Sequence, residues 1–259
     1  MNVLVFDIET VPDVEAGRRL HGLDGIGDAE VAQAMFAMRR RVTDGQSDFL
    51  RHHLHRVVTI GMLLRRDDRL NVWSLSVPEL GEAEILRRFF DGIERCTPVL
   101  VSWNGGGFDL PVLHYRALRH GVPAARYWEN GDDDTSFRYN NYLGRYHWRH
   151  TDLMDVLAGY QPRAAAPLDE IATLIGLPGK SGMDGSRVWE RHLAGDHQGI
   201  RDYCETDVLN TYLIWLRFEL MRGRLDAAAH ADECARLRAY LASEDRPHFR
   251  SFLEAWPPS

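Results

Sequence analysis

The sequence predicts a layered α/β or α+β domain, and three observations carry that reading. Mostly apolar runs of strand length recur early: "VLVFDIE" at 3–9, "VVTIGMLL" at 57–64 and "VLVSW" at 99–103. Such runs suit strands buried on both faces of a sheet. Between them, "EAEILRRFFDGIER" at 82–95 places Ile85, Leu86, Phe89, Phe90 and Ile93 at helical spacing. After residue 150 the pattern is helical almost throughout. A sheet at the front must then bury its faces against helices that follow it.

The elements follow in order. The strand at 3–9 leads into an irregular excursion, 10–56, with one helical stretch near 29–40. The strand at 57–64 meets "RRDDR", a polar turn, and then "LNVWSLS" at 70–76, which reads as an antiparallel hairpin. The helix at 82–95 precedes Pro98 and the strand at 99–103. "NGGGFDLPVLHYRALRHG" is a glycine turn opening an amphipathic helix that stops near Gly121. Residues 122–150 are polar and rich in Tyr, Trp, Arg and Asn, a long non-regular segment of the kind that often carries function. Helices are expected at 153–159, 168–176, 186–193, 196–221 and 226–242, followed by a short tail.

Bulk properties narrow the class. The 259 residues suit one large domain or two small ones, and 44% hydrophobic with 27% charged residues excludes disordered and fibrous chains. No apolar run is long enough to span a bilayer, so no membrane partner is expected. The N-terminal apolar run stops at Asp7 without a basic region before it, unlike a signal peptide. Cys96, Cys204 and Cys234 are far apart and form no CxxC pair, which points to a reducing, cytoplasmic setting. The net charge of −7 argues against a general basic coat, yet nucleic acid stays open, because local clusters and metal ions can offset acidic groups.

Asp7 and Glu9 raise the chemical question. Side chains alternate along a strand, so the two carboxylates point to one side, about 7 Å apart at the backbone. Like charges that close repel, and burial makes this worse. No Lys or Arg lies within the strand, so a divalent metal with oxygen ligands is the natural counter-charge. The plain alternative is solvated charge at a strand end. Asn104 and Asp109 flank the turn "NGGGFD", and Asp109 falls where a helix N-terminus favours negative charge; helix capping is the alternative there. In open α/β sheets the C-terminal strand ends form the ligand crevice, and the first strand can share that edge. On the long late helix, "YCETD" puts Tyr203 and Asp207 four apart on one face, with Val208, Tyr212 and Trp215 continuing a stripe toward the sheet. An acid on an inward stripe needs a partner; an exposed Asp207 is the alternative.

Taken together, D-I-E-T on a first strand, N-x(3)-F-D after a later strand and Y-x(3)-D on a late helix resemble the three motifs of the DEDD 3′–5′ exonucleases, with Tyr marking the DEDDy branch. The set is most similar to the bacterial stand-alone predicted 3′–5′ exonucleases related to the proofreading domain of family B DNA polymerases. "HRVVTIG" at 55–61, "HTDLMDVL" at 150–157 and "LDEIATLIGLPGKSGMDGSRVWE" at 168–190 also look like that group, so the resemblance spans about 1–220. It implies a ribonuclease H-like fold, a central mixed β-sheet flanked by helices, over 1–222, with 223–259 a helical extension packed on the same domain. It implies two Mg²⁺ or Mn²⁺ ions and a nucleic-acid substrate, DNA favoured and RNA possible. By position, Asp7, Glu9 and Asp207 would hold the ion that binds the attacking water. Asp7 and Asp109 would hold the second, Asp109 partly through water. Tyr203 would orient the water, and Thr10, Asn104 and Phe108 would bind substrate.

The chemistry is consistent with those residue types. Two ions about 3.5–4 Å apart can activate water and relieve charge on the leaving oxygen of a phosphodiester. Hard carboxylate oxygens suit Mg²⁺ and Mn²⁺. A phenol with a pKa of about 10 is a poor base at pH 7, so Tyr203 reads as a positioner. Substrate strands are expected to stack on aromatics of 122–150 (Tyr127, Trp128, Phe137, Tyr139, Tyr142, Tyr146, Trp148), with Arg126, Arg138, Arg145 and Arg149 meeting phosphates.

Other signals are set aside. "GLPGKS" at 176–181 lacks the upstream glycine of a phosphate loop and follows a helix; its Lys180, the single lysine, reads as a surface residue or a substrate contact. "RHHLHR" at 51–56 lacks metal-site spacing and reads as loop packing or solvent-facing. "DDD" at 132–134 reads as a solvated turn and Asp152 as a helix cap. Two rival functions remain: a catalytically weak ribonuclease H-like nucleic-acid-binding module, and a phosphatase using an aspartyl nucleophile, which leaves "YCETD" unexplained.

Overall fold

The computed structural model describes residues 1–179 and 185–257. Among the described residues, five strands form one mixed sheet: β1 (Asn2–Pro12), β2 (His55–Arg66), β3 (Arg69–Ser76), β4 (Val99–Ser102) and β5 (His150–Asp152), in the order β3-β2-β1-β4-β5. β1 pairs antiparallel with β2, and β2 with β3. β4 runs parallel to both β1 and β5. The parallel pairing brings the C-terminal ends of β1 and β4 to one sheet edge.

The alternation of β1 assigns its two faces. Leu4, Phe6 and Ile8 enter one core layer with Ile85, Leu86, Phe89, Phe90 and Ile93 of α3 (Glu82–Cys96) and Leu110 and Leu113 of α4 (Asp109–His120). Val3 and Val5 face the opposite layer, built on Val208, Leu209, Tyr212 and Leu216 of the long helix His197–Met221. Asp7 and Glu9 have the same parity as Val3 and Val5, so they face the long helix. The central mixed sheet flanked by helices, expected from the sequence, is therefore what this chain forms.

The excursion before β2 is more regular than expected. It contains α1 (Val14–His21) and α2 (Asp28–Val42), packed on a small core of Val31, Met35 and Leu50. Asp13 caps α1 by accepting the Ala16 N–H at 3.0 Å. It also accepts from Arg116 of α4, whose Nε donates to Glu82 at 2.7 Å. All three are buried, so a closed ion network ties the excursion to α3 and α4.

The remaining α-helices are α5 (Ala125–Trp128), α6 (Leu153–Leu157), α7 (Leu168–Leu174), α8 (Val188–Leu193), the long helix as α9, α10 (Ala227–Ser243) and α11 (Pro247–Ala255). α11 takes the place of the expected tail, because Phe249 and Phe252 give it an apolar face on the layer of α9. β5, three residues long, was hidden inside "HTDLMDVL": a strand that short has no readable period. The first strand also does not stop at its carboxylates. β1 runs on to Pro12, and the pairing skips Val58 between Glu9–Thr59 and Thr10–Val57, a β-bulge directly after the acidic pair. Bulges of this kind re-aim side chains beside functional sites.

Candidate active site

Asp7 and Glu9 open into a cleft of about 720 Å³, which Thr10, Asn104, Phe108, Tyr203 and Asp207 also line. Seven of the eight residues singled out in the sequence thus share one surface. The eighth, Asp109, is buried, and its Oδ1 accepts the Ile8 N–H at 3.1 Å. β1 pairs with β4 from Val3–Val99 to Val5–Val101, so Ile8 lies beyond the ladder and takes its acceptor from α4 instead. Asp109 therefore touches the backbone between the two β1 carboxylates.

The turn that delivers Asp109 is built for close approach. Asn104 adopts φ +62°, and its carbonyl accepts the N–H groups of Gly107 and Phe108 at 3.0 and 2.9 Å. A Cβ on Gly105 would collide with Ser102, whose Oγ is hydrogen-bonded to His150 Nε2 at 2.8 Å. Asp152 accepts from the N–H groups of Asn104 and Gly106, each at 2.9 Å, and caps α6 through Asp155 N. The cap reading of Asp152 is right, but the residue also clamps the glycine turn. Burial, followed by the nearby Asp152 charge, pushes the Asp109 carboxyl up to about 7.

α9 brings the third group. Its approach depends on Gly61 of β2, paired with Asp7, because a Cβ there would lie 2.8 Å from Cys204 Sγ. The Gly61 N–H donates to Cys204 Sγ at 3.2 Å, and the thiol lies 3.5 Å from the Asp7 carbonyl and from its Oδ2. Cys204 thus packs α9 against the sheet, a contact that its place among three separated cysteines does not announce. Burial and the charges of Asp7 and Glu9 raise its thiol pKa, which keeps it protonated.

Tyr203 and Asp207 are both buried, so the exposed alternative for Asp207 does not hold. Burial raises the Tyr203 phenol pKa, and the charges of Asp207, Glu9 and Asp7 raise it further, together with a hydrogen bond to Asp207. The phenol stays a neutral O–H donor. One side chain therefore senses all three carboxylates.

Ligand atoms of Asp7, Glu9 and Cys204 lie within 4.8 Å of one another. Asp7 and Glu9 offer carboxylate oxygens, which a hard divalent cation matches better than the Cys204 sulfur does. The carboxylate cluster thus fits a metal.

The aromatic reading of 122–150 is corrected. Tyr127, Phe137 and Tyr142 are buried, with Tyr127 and Tyr142 stacked at 5.6 Å. Arg149 covers the Phe137 ring at 3.6 Å, and Arg145 pairs with Asp155 at 2.7 Å. Tyr139, Tyr146 and Trp148 are exposed, but none of the segment lines the acidic cleft. Besides Tyr203 and His55, the aromatics that line it are Phe36, Phe49, Trp103, Phe108 and Trp189. The "RHHLHR" histidines pack loops, as expected: His52 bonds the Gly107 carbonyl at 2.9 Å and His55 bonds Thr10 Oγ1 at 2.8 Å. His55 Nε2–H donates to Leu50 O, leaving Nδ1 to accept from Thr10; burial first of all lowers its pKa to about 4. In "DDD", Asp132 and Asp133 are exposed as read, while Asp134 pairs with Arg126 at 2.9 Å. Lys180 lies outside the described residues.

A mixed five-stranded sheet with helices on both faces and carboxylates at the shared strand edge is a ribonuclease H-like architecture. The family B DNA polymerase from the hyperthermophilic archaeon Pyrobaculum calidifontis has a similar fold, with a TM-score of 0.51 and 19% identity over 85% of this chain. The alignment covers 24% of that polymerase, so this chain spans about a quarter of its length. The chain belongs to the family described as predicted 3′–5′ exonucleases related to the exonuclease domain of PolB, which matches residues 47–256. Asn104, Asp109, Tyr203 and Asp207 fall inside that match; Asp7 and Glu9 precede it. Among curated proteins, none matches this chain.

Proposed function

We propose that the protein is a metal-dependent 3′–5′ exonuclease that hydrolyses single-stranded DNA or frayed 3′ ends to mononucleotides. One observation carries the reading: Asp7 and Glu9 on β1 and Tyr203 and Asp207 on α9 meet at one cleft, close enough for Tyr203 to sense every charge. Asp7, Glu9 and Asp207 would hold one Mg²⁺ or Mn²⁺ ion, and Asp7 with Asp109 a second. Bound there, the pair supplies an activated water and relief of charge at the leaving oxygen. The chain does the rest. Tyr203 holds its proton and presents a fixed O–H donor, so it orients water and does not act as a base. Asp109, pinned to Ile8 N–H, sets how far α4 stands from β1. Thr10, Asn104 and Phe108 receive the strand end.

Residues 1–222 form the catalytic unit and 223–259 an extension packed on the same domain; the shared core of α9, α10 and α11 supports that packing. The three free cysteines support a cytoplasmic location. No helix among the described residues is long and apolar enough to cross a membrane.

The test is degradation of 5′-labelled DNA and RNA oligonucleotides with Mg²⁺ or Mn²⁺, alongside Asp7→Ala. Stepwise shortening from the 3′ end, absent in the variant, is expected. Substrate bound but never shortened would leave the binding-module reading. An active Asp7→Ala protein would refute the site.

A further inference from the structure

Behind the glycine turn lies a second cavity of about 520 Å³, which adjoins the acidic cleft: Asn104 and Met154 line both. Leu110, Pro111, Tyr142 and Val156 give it apolar walls, and a few polar groups interrupt them. That size and lining are those of a small-molecule site. Two of the polar groups are the imidazoles of His114 and His150. Burial lowers the pKa of each to about 4, so both rings are neutral. Their Nε2 atoms are taken, by the Tyr127 hydroxyl at 2.9 Å and by Ser102 Oγ at 2.8 Å, and among the described residues no group bonds either Nδ1. Arg145 stands at the rim with its side chain 52% exposed. Its Nε and Nη2 donate to Asp155, each at 2.7 Å, which leaves Nη1 for another acceptor.

Neutral imidazoles, the Gln161 amide and the Asp152 carboxylate offer donors and acceptors to the edge of a heterocycle. The apolar walls take its faces, and Arg145 Nη1 can donate to a phosphate. A nucleoside 5′-monophosphate combines those features, and under the exonuclease reading it is released on the other side of one shared wall. We propose that this cavity is a second nucleotide site, which binds the released nucleoside 5′-monophosphate and lowers turnover by drawing Asp152 off the glycine turn. Asp152 carries the coupling because it lines the cavity and also accepts from the N–H groups of Asn104 and Gly106. A base amino group bonded to that carboxylate competes with the turn for it, and the turn sets where Asn104 and Asp109 stand. The inference rests on the exonuclease reading, which supplies the ligand, and adds feedback by product to it.

The test is equilibrium dialysis of the full chain against deoxyadenosine 5′-monophosphate, deoxyadenosine and inorganic phosphate in EDTA, where the acidic cleft, stripped of cations, repels phosphate. The nucleotide is expected to bind, and phosphate alone is not. The nucleoside should bind on the order of tenfold more weakly than the nucleotide, the scale of one charged hydrogen bond. Arg145→Gln should lower nucleotide affinity to that of the nucleoside. Ala165→Trp, which fills the cavity from a half-buried position in its lining, should abolish both. In Mn²⁺ the nucleotide should lower the wild-type kcat on a saturating oligonucleotide several-fold, and Ala165→Trp, measured against its own uninhibited rate, should escape. Binding equal in the wild type and both variants, or inhibition that saturating oligonucleotide relieves, overturns the proposal alone. A wild type that binds the nucleotide but hydrolyses no oligonucleotide overturns the exonuclease reading and the feedback built on it, while the site stands.

Discussion

Gly61 of β2 and Cys204 of α9 touch so closely that a β-carbon on Gly61 would sit 2.8 Å from Sγ and 3.1 Å from the Cys204 carbonyl oxygen. A thiol can swing aside; a helix backbone cannot without moving α9. Gly61→Ala is therefore expected to destabilise by about 1–3 kcal/mol, as overpacking does. Activity should fall further, by on the order of a hundredfold, because Tyr203 and Asp207 shift with the helix. A thermal melt and an exonuclease assay on the same preparation check both; unchanged activity would show that α9 has slack at this contact.

Tyr203→Phe removes one oxygen and keeps the ring. If the phenol orients water, the rate constant should drop by on the order of a hundredfold with metal dependence unchanged. Burial and three carboxylates hold the phenol pKa above its ordinary value, so the residual activity of Tyr203→Phe should keep the wild-type pH profile through pH 9. A pH–rate limb that disappears in the variant would assign Tyr203 an acid–base role instead.

Asp7, Glu9 and Asp207 crowd negative charge around Tyr203. A cation that binds only the folded chain stabilises it, by about 2.7 kcal/mol at a hundred times its dissociation constant. Adding Mn²⁺ should raise Tm by several degrees, EDTA should reverse the rise, and Asp7→Ala should abolish it. A rise of equal size in Asp7→Ala would locate the ion elsewhere.

Asp13 offers a pH test away from the cleft. Its burial would raise the carboxyl pKa, but the Ala16 N–H and the Arg116 and Arg119 charges outweigh it and leave the value below 3.8. A carboxyl with a depressed folded pKa contributes stability that is complete above the unfolded value and fades as pH falls through the folded one. Asp13→Asn keeps the helix cap and loses the ion pair, so it should cost about 3 kcal/mol at pH 7. The gap to wild type should narrow as pH drops below about 4, read from urea titrations across pH; a constant gap would mean that the charge contributes nothing.

Glu205 stands on α9 between Tyr203 and Asp207 and is held from the C-terminal helix. It accepts from Ser74 Oγ at 3.0 Å, Arg246 Nη1 at 3.0 Å and His248 Nε2 at 2.8 Å. Arg246→Ala with His248→Ala should leave that buried carboxylate under-partnered, costing about 2–3 kcal/mol and lowering activity alongside. Wild-type stability and rate in the double variant would show that α11 does not steady the catalytic helix.

The glycine turn shows what was legible and what was not. Its role in opening α4 was readable, because three glycines before an amphipathic run are a local signal. Its clamp was not: Asp152 lies 48 residues from Asn104, and no local pattern announces that its carboxylate closes on the turn. The same division runs through the cleft. Phe49 meets His55 of β2 and Phe108 of the glycine turn only because distant parts of the chain bring those rings beside it.

By itself the sequence determined that Asp7 and Glu9 share a strand face and that Tyr203 and Asp207 share a helix face, because the periods of two and of 3.6 are properties of the backbone. It also determined the order of the main strands and helices, since buried runs and amphipathic stripes are written locally. Tertiary packing settles that β1 continues past its acids through a bulge and that Tyr127, Phe137 and Tyr142, but not the other aromatics of 122–150, turn inward. It alone decided that α11 covers α9 and that Asp109 is anchored on Ile8, 101 residues away. Each of these depends on which distant surface is free to be covered, and that is settled only when the whole chain packs.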